Sequence, residues 1–160
     1  MLSGGIDCAG TGQDGDIRAG VEWPDPRFTD NMDGTITDNL TGLIWLKDAN
    51  CLGGTRTWQQ ALDFANGLAD GECGLTDASA EGDWHLPNRK ELESLVDLEN
   101  VNPTLPTGNP LMNVESSVYW SSTTEVNFPE FAWYLNFGSP SVVDDNKTDF
   151  NFVTAVRGGS

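Results

Sequence analysis

VYWSSTTEVNFPEFAWYLNFG, residues 118–138, decides the fold class. Val118 and Trp120 alternate with polar neighbours, and Phe131, Trp133, Leu135 and Phe137 fall at every second position against Ala132, Tyr134 and Asn136. That is the period of a β-strand, whose successive side chains point to opposite faces. The pattern predicts two strands, with Trp120, Trp133 and Phe137 inward and Tyr134, Asn136 and Phe128 facing the other way. A last strand is expected over Phe150–Arg157, with the Gly138–Asp149 stretch a polar, turn-rich connection between them.

Upstream, the periodicity is helical. In TWQQALDFANGLAD, Trp58, Ala61, Leu62, Ala65 and Leu68 recur at i, i+3, i+4, i+7 and i+10, and Thr57 with Gln60 has capping-box spacing. PNRKELESLVD gives a second, short helix with Asn88 as cap, Glu91 three residues on, and Leu92, Leu95 and Val96 as its apolar stripe. Before these, RFTDNMDGTITDNLTGLIW reads as a hairpin around Asp33-Gly34, a second turn over Asn39–Gly42, and a short buried strand over Leu43–Leu46. Strands, two helices and strands again, joined by long loops, predict an α+β fold with an antiparallel sheet.

Residues 1–20 hold six Gly with several Asp and almost no large apolar side chain, so they read as a flexible arm, and residues 21–160 as one ligand-binding domain. A domain of this length buries a sizeable core. Eight basic residues against 25 acidic ones leave a net charge of −17, which repels phosphate backbones and argues against nucleic acid, anionic membranes and sulfated polysaccharides. No run approaches the roughly 18 apolar residues of a membrane span, and residues 1–5 lack the regions of a signal peptide, so the chain reads as a mature or trimmed form without direct membrane insertion.

Cys8, Cys51 and Cys73 match no paired zinc spacing. Cys51 and Cys73 bracket the first helix with glycines beside each, which favours a disulfide contributing about 3 kcal/mol through loop closure. That bridge points to an oxidising compartment and leaves Cys8 odd. Asp30, Asn31, Asp33 and Asp38 read as hairpin-turn residues before a calcium loop, because DNMDG breaks the alternation an EF-hand requires; calcium stays open as a cofactor. The Asp144–Asp149 run reads as a solvated loop, with ligand or cation contact as the alternative. His85, the only histidine, excludes histidine-based triads and multi-histidine metal centres. Nothing singles out two of the 25 carboxylates for glycoside hydrolysis, and Ser121 and Ser122 lack a nucleophile elbow.

Taken together, RFTDNMDGTITDNLTGLIW, GDWHLPNRKELESLVD, VYWSSTT, FAWYLNFG and VTAVRGG resemble the C-terminal domain family of the Legionella collagen-like adhesin, from about Thr11 to Gly159. The resemblance implies a C-type-lectin-like fold related to formylglycine-generating enzymes, an extracellular or cell-surface setting, and binding instead of catalysis. The reactive cysteine pair of those enzymes has no counterpart, since every cysteine precedes residue 74. His85 and Thr154 stand where the family's W-R-L-P and V-R-A-V-R motifs carry arginine, which removes two positive groups. The chain is also similar to the variable proteins of diversity-generating retroelements, whose C-terminal segment varies on this fold.

That likeness places the ligand-binding surface within residues 123–151. Thr123, Thr124, Glu125, Asn127, Phe128 and Glu130 would lead into it, Tyr134, Asn136 and Ser139 would continue it, and Asp144, Asp145, Asn146, Lys147, Asp149 and Asn151 would close it. Phe128 and Tyr134 would stack; the carboxylates and amides would hydrogen-bond or bridge a cation. The expected partner is a protein or glycan on another cell or surface. A calcium-assisted glycan-binding adhesin module and a carboxylate-pair hydrolase are the alternatives.

Overall fold

The computed structural model describes residues 23–158, and the expected arm at 1–20 and Cys8 lie outside them. Strands β1 (Phe28–Asp30), β2 (Thr35–Asp38) and β3 (Ile44–Leu46) come first, then helices α1 (Trp58–Gly67) and α2 (Arg89–Ser94). Strands β4 (Val118–Thr124), β5 (Phe131–Asn136), β6 (Ser141–Asn146) and β7 (Val156–Arg157) follow. They form two antiparallel sheets, ordered β1-β2-β3-β7 and β4-β5-β6. The α+β class expected from the sequence is what the chain adopts.

Local chemistry explains the elements. Thr57 accepts from the Gln60 N–H while the Gln60 side chain accepts from the Thr57 N–H, and Asn88 with Glu91 does the same for α2. Each reciprocal pair satisfies two amides that a helix start leaves without partners. In the first hairpin the Asn31 amide donates to the Thr35 carbonyl and Asp33 accepts from both the Thr35 N–H and its hydroxyl. Gly34 sits at φ +85°, where a side chain is disfavoured. The turn at Asn39–Gly42 closes through the Gly42 amide and the Asp38 carbonyl.

Two apolar clusters lie on opposite faces of the β4-β5-β6 sheet. Tyr119 packs with Leu92, Leu95, Leu135 and Phe137, whereas the next residue, Trp120, packs with Ala61, Ala65, Leu86 and Ala132. β3 splits likewise, Trp45 entering the α2 cluster and Leu46 the α1 cluster. This corrects the single inward face expected from period two. Trp120 pairs with Tyr134, so the two side chains share a face opposite Leu135 and Phe137. Trp133 is only half-buried, beneath the Arg89 guanidinium 4.5 Å from its ring centre. A sheet packed on both faces has no purely inward register: Trp120 is buried as expected, but on the face opposite Phe137.

Two further expectations change. Residues 141–146, read as part of a connection, form β6 and pair with β5 over six successive residues from Phe131–Asn146 to Asn136–Ser141. SVVDDN combines two β-branched residues with two Asp, and the acidic run masked the strand signal. At the C-terminal end only Val156–Arg157 is regular strand; Asn151 and Phe152 make isolated bridges to Arg56 and Tyr119.

The expected disulfide joins Cys51 and Cys73, with Cα atoms 5.5 Å apart. It ties the segment before α1 to the loop after it. Among the described residues no helix is long and apolar enough to cross a membrane.

Candidate functional site

Two loops meet at one end of the β4-β5-β6 sheet, the β4–β5 loop (125–130) and the segment following β6 (147–150). Lys147 joins them. Its amide donates to the Glu130 carbonyl at 2.9 Å, and its ammonium donates to the Pro129 carbonyl at 2.7 Å and the Thr124 hydroxyl at 3.0 Å. The same ammonium lies 4.0 Å from the centre of the Trp58 ring, whose indole N–H donates to the Ser121 carbonyl. Lys147 is therefore a tie rather than a free ligand group, held by two oxygens and a ring face.

What the tie presents is apolar side chains framed by carboxylates. Phe128 is 57% exposed, steadied edge-on by Phe131 at 6.3 Å, and Val126 and Phe150 are 84% and 62% exposed. Glu130 and Asp149, on the same two loops, are also exposed, as is Asn127, whose amide groups donate to Glu125. Large apolar groups left in water on an otherwise well-packed domain mark contact surfaces when they share a patch.

The remaining expected residues divide by role. Thr123 accepts from the Arg89 amide at 3.0 Å, anchoring α2 to β4. Asn136 accepts from the amides of Gly138 and Ser139, and Asn146 accepts from the amide and hydroxyl of Thr148, so both amide side chains shape turns. Ser139 is exposed at the opposite end of the strands, away from Phe128. Asp144 and Asp145 are half-buried, paired with Trp133 and Ala132 across β5. Asn151 is 3% exposed and donates to Asp145 at 3.2 Å; it belongs to the interior and not to an accessible surface.

Tyr134 also departs from an outward role, packing against the α1 cluster half-buried. Burial pushes its hydroxyl above its usual range, and the charges of Asp145 and Asp144 act in the same direction. Asp149 is shifted up as well, chiefly through a side-chain hydrogen bond with Asp145, reinforced by desolvation and the Asp145 charge. Asp149 thus holds its proton more tightly than a lone carboxyl would.

Val126 carried a signal, an apolar residue inside a polar loop, whereas Phe150 was expected to open the last strand; only the fold shows that one cation ties the two loops together. His85 sits 3.3 Å from both oxygens of Glu91. Burial raises the Glu91 carboxyl, but hydrogen bonds from His85 and the Asn88 amide, with the His85 charge, outweigh it and leave the carboxyl below its usual range. The acids of the first hairpin are likewise engaged: Asp30 with the Lys47 ammonium at 2.6 Å and Asp33 with Thr35. Among the described residues no three His, Cys, Asp or Glu side chains cluster in a way that could hold a metal ion.

Compared with known families, residues 34–157 match the family described as Lcl C-terminal domain. No curated protein matches the chain.

Proposed function

This chain belongs to the Lcl C-terminal domain family, and on that premise we propose that it is a non-enzymatic recognition domain of surface or adhesive type, built on a C-type-lectin-like scaffold. Its contact surface is the Lys147-tied rim formed by residues 125–130 and 147–150. The observation that carries this reading is the exposure of Val126, Phe128 and Phe150 on two loops that the scaffold braces through Lys147, Trp58 and Thr124. Rigid aromatic and aliphatic anchors ringed by polar groups are the usual energetic centre of a protein interface.

The partner is a protein or a neutral or basic glycan on another cell or surface, because a chain of net charge −17 repels polyanions. An extracytoplasmic setting is supported by the Cys51–Cys73 disulfide, a bond that persists in oxidising compartments.

The test is adhesion of domain-coated beads to a panel of cells and glycan-coated surfaces. The triple substitution Val126→Ser, Phe128→Ser, Glu130→Lys should abolish adhesion while the melting temperature stays within a few degrees. Substituting Gln59 and Asp63, exposed on α1, should leave adhesion intact. Adhesion unchanged in the triple variant removes the rim from the account.

A further inference from the structure

A second surface, far along the chain from the rim residues, has the form of a small-ligand pocket. Met32 and Gly34 of the first hairpin, Lys47 and Asp48 after β3, the Cys51–Cys73 disulfide with Gly74, and Met112 line a cavity of about 540 Å³. That volume falls in the range of ligand sites. Its walls are fixed independently of any occupant. The Lys47 amide donates to the Gly34 carbonyl at 3.0 Å, the Thr76 amide to the Asp33 carbonyl at 2.9 Å, and the Met112 amide to the Lys47 carbonyl at 2.8 Å. The disulfide locks the floor.

The lining combines soft apolar groups with an unbalanced charge. Met32 and Met112 are 84% and 49% exposed, two flexible thioethers at the mouth. Such side chains adapt to apolar ligand bodies of varied shape. Lys47 is neutralised by Asp30 at 2.6 Å. Among the described residues Asp48 has only neutral partners: it accepts from the Asn50 amide at 3.1 Å and the Asn113 side-chain amide at 3.0 Å. Glu115 stands nearby, accepting from Asn50 at 3.1 Å. The pocket therefore carries net negative charge.

The rest of the molecule does not offset it. Of the eight Lys and Arg, Arg18 lies outside the described residues; six of the other seven are engaged. Arg27, Lys47, Arg89 and Arg157 pair with carboxylates, Lys147 lies on Trp58, and Arg56 donates to the carbonyls of Leu52 and Thr55. Six of the seven described cations are internal ties, and among the described residues none forms an ion pair with Asp48, whose charge is left for an incoming cation.

We infer that the cavity over the Cys51–Cys73 disulfide binds an amphipathic organic cation, an ammonium or guanidinium on an alkyl body, with the cation at Asp48 and the alkyl part between Met32 and Met112. A free amine and the Lys or Arg side chain of a partner protein share this chemistry.

The full chain carries three methionines, Met1, Met32 and Met112, so ¹³C-methyl-methionine NMR resolves the site with Met1 as reference. Hexylammonium and hexylguanidinium should shift the Met32 and Met112 signals saturably and leave Met1 in place. Hexanol should bind about fivefold more weakly, the factor expected of one solvent-open ion pair, and hexanoate more weakly still. Asp48→Asn, which keeps the oxygen that Asn50 and Asn113 bond, should bring hexylammonium down to the hexanol level. N-acetyl-lysine amide and N-acetyl-arginine amide binding like the hexyl cations would assign the site to a partner's side chain; binding of the free alkyl cations alone would assign it to a small amine. Equal binding of hexanol and hexylammonium, unmoved methionine signals, or full affinity in Asp48→Asn would overturn the inference.

Discussion

Replacing Gly34 by alanine probes how the first hairpin is seated against the disulfide loop. A Cβ at Gly34 would fall 2.4 Å from the Gly74 carbonyl oxygen and 2.8 Å from its carbon, both backbone atoms. Gly34 also sits at φ +85°. Gly42 provides the control, since its φ of +75° is similar but a Cβ there meets nothing within 4 Å. The left-handed conformation costs a non-glycine residue about 1–2 kcal/mol, common to both substitutions. Only Gly34→Ala adds the collision, worth about 1–3 kcal/mol as overpacking. The expected losses are therefore about 2–5 kcal/mol for Gly34→Ala and about 1–2 kcal/mol for Gly42→Ala. At roughly 2–4 °C per kcal/mol for a domain of this size, the two melting temperatures should separate by several degrees. Thermal unfolding followed by circular dichroism, with the disulfide oxidised, measures both. Equal shifts would refute the close approach of hairpin and disulfide loop.

Asn88→Ala deletes the acceptor for the Glu91 amide, and should cost about 0.5–2 kcal/mol in chemical denaturation. Because the folded Glu91 carboxyl lies below its ordinary value of 4.5, its stabilisation is present above that value and lost as pH falls through the lowered folded pKa; acid titrations of wild type and Glu91→Gln should diverge there. Burial pushes the Tyr119 hydroxyl up to about 12, so its contribution is complete below the unfolded tyrosine range near 10 and disappears as pH rises toward 12. Ultraviolet titration should find neither of the two tyrosines ionising at its ordinary value, since Tyr134 is also raised. Asp149 carries the same sign: its contact with Asp145 is intact while Asp149 keeps its proton and is lost as pH rises through its raised pKa, which a pH series of Asn151 side-chain amide shifts should report.

The helices were readable residue by residue because capping is local. Thr57 with Gln60 and Asn88 with Glu91 lie three residues apart, and no distant contact has to agree for the boxes to form. The hairpin at Gly34 and the Cys51–Cys73 bridge were legible for the same reason, as a turn dipeptide and a bracketed helix. What failed depended on tertiary neighbours. Trp120 and Tyr119 enter different cores because both sheet faces are covered, and a period of two cannot say how many faces are buried. β6 was hidden because its two Asp read as a loop, although pairing with β5 holds them in a strand. The expected surface takes selected residues between Thr123 and Asn151. The fold keeps Phe128 and Glu130 at the rim, turns Tyr134 toward a core and buries Asn151, a partition set by packing that spacing does not encode.

The most direct test of the recognition rim is hydroxyl-radical footprinting of the domain while it adheres to a surface that holds it, compared with the free domain. The side chains of Val126, Phe128 and Phe150 should lose reactivity on adhesion, while Leu98 and Val101, exposed elsewhere, keep theirs. Protection of Leu98 and Val101 with Phe128 fully reactive would contradict the account.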